Sequence, residues 1–139
     1  MRIILFAMIV ALLPASPTWA GGASKPKEAG PLEAGAPAVD LPPFMAPVTV
    51  NGELQFYMYM VVKLELTSDG QKGIILDKVP YIQDAILRDV HNASIAAPDD
   101  PQKVDEAAVS TRLKGVIEPI VGTGVIAKVG FRTLTRAAH

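Results

Sequence analysis

The side chains that could do chemistry in this chain are few and stand apart from one another. Two histidines are present, His91 and His139, and there are no cysteines among the 139 residues. Without cysteine there is neither a disulfide framework nor thiolate chemistry. His91 falls at the expected end of a helix, where an imidazolium is favoured by the helix dipole. As a metal ligand it has no Cys, no second nearby His and no clustered carboxylates around it. The pair Asp99-Asp100 suggests calcium, but Pro98 and Pro101 flank it and the loop spacing of a calcium site is missing, so a helix cap is the better reading. Gly122-Thr123-Gly124 suggests a phosphate loop, but no helix follows it, so it reads as a helix stop. Ser110, Thr111 and the tyrosines have no base beside them in the sequence, as an activated nucleophile requires. No catalytic, cofactor or metal residue is assigned, and the chain is expected to be non-enzymatic.

The charge balance, 13 basic against 14 acidic residues, gives a net charge of −1. This provides no basic field for nucleic acid. The N-terminus is patterned differently. Met1-Arg2 is followed by an apolar run over residues 3–13, then Pro14 and the small-residue stretch Ser16-Pro17-Thr18-Trp19-Ala20. Basic start, short apolar run and small-residue site are the parts of a secretory signal peptide, cleaved after Ala20 or, alternatively, after Ala23. The rival is an uncleaved anchor, for which about 16 to 20 Å of helix falls short of a ~30 Å hydrocarbon core. Either way the rest of the chain is expected outside the cytoplasmic membrane. The division is therefore 1–20 signal peptide or short anchor, 21–43 a Pro/Gly/Ala-rich linker, and 44–136 a folded domain.

The domain is organised around residues 54–66, LQFYMYMVVKLEL. Leu54, Phe56, Met58, Met60, Val62, Leu64 and Leu66 alternate with Gln55, Tyr57, Tyr59, Val61, Lys63 and Glu65. Period two over thirteen residues means one long strand, roughly 40 Å, with an apolar face and an amphipathic face. A preceding strand, Pro47-Val48-Thr49-Val50, joins it through Asn51-Gly52, a strong hairpin signal. A two-residue turn would pair Thr49 with Leu54; a three-residue loop pairs Val50 with Leu54 and Val48 with Phe56. Burial of one face favours the second.

After the turn at 67–70, Asp77 reads as an N-cap with Pro80 in the first helical turn. Val79, Ile82, Ala85, Ile86 and Val90 recur at helical spacing. Asp100 and Pro101 read as the start of a second helix carrying Val109, Leu113, Val116, Ile117 and Ile120, ended near Glu118 by Pro119. A last strand runs from about Val125 to Arg136. The expected fold is α+β: an antiparallel sheet with a long central strand covered by two helices. Phe56, Met58, Met60 and Val62 should face Ile82, Ile86, Leu113 and Ile117. The tyrosines of the other face read either as ordinary sheet residues or as an interface; Tyr57, Tyr59 and Val61 are the candidate contact residues.

Taken together, these features resemble the extracytoplasmic domain of the FliL family of the bacterial flagellar basal body. The resemblance covers about residues 44–136. It rests on the long strand, on VPYIQDAILRDVHN with its proline, aspartates and Ile-Leu pair, on a second helix and on the closing strand VIAKVGFRTLTRA. It implies a stomatin-like domain, homo-oligomeric rings, contact with flagellar stator units or the basal body, and support of motility, with no nucleic acid and no small-molecule substrate. Family members usually carry a full transmembrane helix, and here the apolar run is short. The alternative is a soluble periplasmic stomatin-like scaffold or adaptor not linked to motility.

Overall fold

A computed structural model describes residues 35–138. The expected export segment, the first part of the linker and His139 lie outside the described residues. The order is β1 (Ala38–Asp40), β2 (Phe44–Val50), β3 (Glu53–Leu66), a 3-10 turn at Asp69–Gln71, α1 (Lys72–Asn92), α2 (Glu106–Val121) and β4 (Ile126–Arg136). All strand pairings are antiparallel, so the expected α+β architecture is the one observed.

Every other strand pairs with β3. β2 pairs along residues 53–60, β1 along 63–65 and β4 along 58–66. Because β4 overlaps both others in register, β1 and β2 must share one edge of β3 and β4 must occupy the opposite edge. The alternation of β3 holds from Phe56 onward. Phe56, Met58, Met60, Val62, Leu64 and Leu66 are buried, in one cluster with Ile75, Ile82, Ile86 and Val90 of α1 and Val109, Leu113, Ile117 and Val121 of α2. The expected facing of strand and helices is therefore present. α2 packs over β4, and α1 over β1 and β2. Each large side chain fully buried contributes about 1.5–3 kcal/mol of transfer free energy.

Several boundaries differ from expectation. The fold begins before Phe44: β1 lies inside the stretch read as linker. Val39 and Leu41 are buried, and the backbone is tied by Leu41 N–H to the Val62 carbonyl (2.8 Å) and Leu66 N–H to the Pro37 carbonyl (2.7 Å). Three residues are too few to display a period, and the surrounding prolines hide the strand.

The hairpin combines both registers considered. Asn51 (φ 52°) and Gly52 (φ 82°) form a two-residue turn with both central residues left-handed, which suits Asn-Gly. Thr49 pairs with Leu54, yet Val48 pairs with Phe56, because the register shifts between Val48 and Thr49. Gln55 is the extra residue of a bulge. The bulge carries Leu54 off the core face, so the apolar row starts at Phe56.

α1 starts at Lys72 instead of at Asp77. Ile75 lies seven residues before Ile82, on the same side, and its burial favours the additional turn. The Gln71 side chain supports the entry, its Oε1 accepting from Ser68 N–H (3.2 Å) and Thr67 Oγ1 (2.7 Å). Pro80 is tolerated inside the helix because its missing N–H orphans only the Leu76 carbonyl, and both residues are exposed to water.

α2 starts at Glu106 instead of near Asp100. Asp105 is its cap, Oδ1 accepting from Ala108 N–H at 3.0 Å. Asp100 closes a turn, accepting from Gln102 N–H at 3.0 Å, inside a loop held by the bridge between Ala96 and Val104. Pro119 does not end α2, since it frees only the carbonyl of Gly115 in the last turn. The helix runs to Val121 and stops at Gly122, whose φ of 105° no L side chain adopts comfortably. In β4, register shifts leave Ala127 and Arg132 as extra residues, so Ile126 is buried and Ala127 exposed.

Candidate functional site

The residues singled out for chemistry are dispersed. His91 is exposed at the end of α1; its Nδ1–H donates to the Leu87 carbonyl (2.6 Å), the acceptor fixing which ring nitrogen carries the proton. Ser110 Oγ donates to the Val129 carbonyl, and Thr111 Oγ1 to the Ala107 carbonyl at 3.0 Å. Asp100 is held below the ordinary carboxyl range by Gln102 N–H and then by Lys103, whose Nζ lies 3.1 Å away. Among the described residues no group of three or more His, Cys, Asp or Glu is placed to hold a metal ion. Among them, too, no helix is long and apolar enough to cross a membrane.

The feature that stands out is the face of β3 turned away from the helices. Its row reads Gln55, Tyr57, Tyr59, Val61, Lys63 and Glu65. Tyr57 and Tyr59 are 43% and 39% exposed, and Val61 is half-buried. Tyr59 stands directly between Met45 of β2 and Thr135 of β4; Val61 stands beside Thr133, and Tyr57 beside Pro47. Cβ atoms directly opposite in an antiparallel pair are about 5 Å apart, so Met45, Tyr57, Tyr59 and Val61 form one continuous strip. The bulge at Gln55 adds Leu54, half exposed, at the hairpin end.

The other end of the face is charged. Lys63 is opposite Asp40, whose Oδ2 lies 2.5 Å from Arg132 Nε. Farther on, Glu65 is buried, directly opposite Ala38 and Lys128. The strip is thus apolar toward the hairpin and ionic toward the entry of the chain.

The structure brings the sequence candidates Tyr57, Tyr59 and Val61 together on one side. Met45 and Leu54 belong to the same strip and were not singled out. Met45 was legible once β2 was extended to Phe44, since Phe44, Ala46 and Val48 alternate with it. Leu54 was not, because alternation alone assigns it to the core.

No family model matches the chain, and no curated protein matches it.

Proposed function

We propose that this chain is a FliL-like, non-enzymatic protein of the flagellar basal body that assembles around the motor and supports stator function and motility. The observation that carries the reading is the Tyr57–Tyr59 strip along the middle of the longest strand, which none of the described elements covers. Both helices are used on the other side of the sheet. A rigid strand flanked on both edges holds the tyrosines in fixed positions, so little order remains to be gained on contact. Tyrosine adds apolar area with a polar tip, the combination enriched where interfaces concentrate their energy. From β2 onward, the order of strand, long strand, helix, helix and strand supports the family resemblance.

In this reading the partners are like subunits, arranged as a ring, and the periplasmic part of flagellar stator units. The domain works in the periplasm, either released by cleavage or held at the inner membrane by an uncleaved N-terminal segment. Deletion of the coding sequence should reduce swimming while leaving flagellar filaments assembled, and the wild-type chain should restore it. Normal swimming of the deletion strain under high load would refute the motility role and leave the scaffold alternative.

A further inference from the structure

Among the described strands, β1 is the one held by the fewest bonds. It has 3 residues, against 7, 14 and 11 in β2, β3 and β4, and it pairs with β3 alone. Pro37 precedes it and Pro42-Pro43 follow it, and none of these has an N–H to give. Leu66 N–H donates to the Pro37 carbonyl at 2.7 Å. Pro37 has no N–H to return to the Leu66 carbonyl, so this pair makes one hydrogen bond where two are usual. The ion pair of Asp40 with Arg132 is open to water, at 36% and 59% exposure, and a pair so exposed adds little. Just past β1 the chain is fixed, because Gln83 Nε2 of α1 donates to the Pro42 carbonyl at 3.1 Å. β1 can therefore leave its place without disturbing β2.

The slot that β1 fills has a definite chemistry. Alternate residues of a strand direct N–H and C=O to opposite edges. Val62, Leu64 and Leu66 turn theirs toward β1, as the bonds of Leu41 N–H to the Val62 carbonyl and Leu66 N–H to Pro37 show. Lys63 and Glu65 turn theirs toward β4, opposite Gly130 and Lys128. Val39 and Leu41 occupy two apolar places in the core cluster. Between them, on the outer face, Asp40 stands opposite Lys63 and 2.5 Å from Arg132 Nε. The remaining charges at this end of the face, Glu65 and Lys128, stand opposite each other. Glu65 also faces Ala38, which is small and uncharged. In successive positions the slot thus takes a small residue, an apolar one, a carboxylate and a second apolar one.

We propose that β1 is a removable strand and that its slot is a docking site for an extended segment of a partner protein. That segment carries a carboxylate flanked by two apolar side chains, and it adds to β3 in the place of β1. The carboxylate meets Lys63 and Arg132, and the apolar pair takes the places of Val39 and Leu41. A segment with an N–H at the Pro37 position also bonds the Leu66 carbonyl, a bond that β1 cannot make. The partner strand therefore gains something that the resident strand lacks. β1 acts as a tethered competitor, and the apparent affinity for the partner scales with the fraction of molecules whose β1 is away. The slot is separate from the Tyr57–Tyr59 strip, and the inference does not depend on that strip being a contact.

Amide hydrogen exchange of the full chain, corrected for intrinsic rates, is the first test. Leu64 and Leu66, whose amides face β1, should exchange at least about tenfold faster than Lys63 and Glu65, whose amides face β4. Protection should thus alternate along consecutive residues of one strand. Val39→Ser with Leu41→Ser should remove protection at Leu64 and Leu66 and leave it at Lys63 and Glu65. The second test is binding of a fluorescent peptide of residues 36–42 carrying Pro37→Ala. It should bind the β1 variant more tightly than the parent, by the factor that exchange assigns to β1 opening in the parent. The same peptide with Asp40→Lys should bind about tenfold more weakly. Equal exchange at all four amides of the parent overturns the proposal, whether or not the variant folds. So does a peptide that binds the variant no better than the parent, or a lysine peptide that binds as well as the aspartate one. A dimer of the parent that the β1 variant cannot form would make the occupant a second copy and overturn its assignment to a partner protein.

Discussion

Arg112 of α2 fastens the end of α1 through Asp89: its Nε lies 2.7 Å from Asp89 Oδ2. The same guanidinium donates from Nη1 to the Ser94 carbonyl (3.0 Å) and from Nη2 to the Ala93 carbonyl (3.3 Å). One planar fork thus satisfies a carboxylate and two carbonyls where the helix ends, a task that needs donors spread in a fixed plane. Both side chains are largely removed from water, 32% and 15% exposed. Arg112→Ala should destabilise by roughly 1.5–3 kcal/mol, because a partly buried carboxylate loses its charged donor. Arg112→Lys should recover only part, as an ammonium on a flexible stem cannot reproduce the fork. Urea denaturation of the two variants measures this; equal stability of Arg112→Ala and the parent would show the contact to be idle.

The core supplies a second prediction. Phe56 and Ile86 are fully enclosed, at 1% and 0% exposure, and the Arg136 guanidinium carbon covers the Phe56 ring at 4.1 Å from its centroid. Phe56→Ala and Ile86→Ala should each cost roughly 2–5 kcal/mol through lost transfer energy and a residual cavity. Leu54→Ala, on the open side of the bulge, should cost far less. Thermal unfolding of the three decides the matter, and a Leu54 effect as large as that of Phe56 would place Leu54 back in the core.

The two aspartates considered as helix caps separate cleanly. Asp105→Ala should destabilise by about 0.5–2 kcal/mol, the loss of an N-cap, whereas Asp100→Asn should leave α2 intact. Asp100 has its own signature in pH. Its folded-state pKa lies below the ordinary 3.8. Its contribution is therefore present above the unfolded value and disappears as pH falls through the lowered folded value. Carboxyl titration by NMR should find Asp100 still ionised when exposed, unpartnered aspartates have taken up their proton; a normal midpoint would mean that the turn to Gln102 is not populated in solution.

Tyr57 and Tyr59 give the prediction tied to function. Replacing both with Ser should weaken assembly and reduce swimming, while circular dichroism and thermal stability stay near those of the parent. Both side chains are already in contact with water, so a substitution there removes little from the fold. Loss of swimming together with loss of structure would mean that the pair supports folding and carries no contact.

Much of the architecture was legible because β3 repeats with period two over thirteen residues and both helices repeat their apolar residues at three and four. Those periods come directly from backbone geometry. What was not legible depended on tertiary context. Pro80 and Pro119 each signal a break by local rules, but Ile75 before the first and Val121 after the second are buried, and that burial outweighs one lost hydrogen bond. Asp100 and Asp105 are equally good caps by residue type; only the bridge of Ala96 with Val104 decides between them. The bulge at Gln55 is the most consequential miss. A register shift leaves no compositional trace, yet it moves Leu54 from the core to the candidate contact strip. The ion pair between Asp40 and Arg132, 92 residues apart, was equally invisible to local pattern.

The placement of β1 has a mechanical consequence. Residues before Ala38 leave the sheet at the Leu66 end of β3, because Ala38 lies opposite Glu65 and Asp40 opposite Lys63. A pull applied to the chain at residues 35–37 would draw β1 lengthwise against β3. That loads their hydrogen bonds together in shear instead of peeling them one at a time. Val39 and Leu41 act as barbs, since sliding β1 outward would drag both into water. With only three residues, β1 is also the piece of the sheet that would let go first, leaving the pairings of β2, β3 and β4 intact.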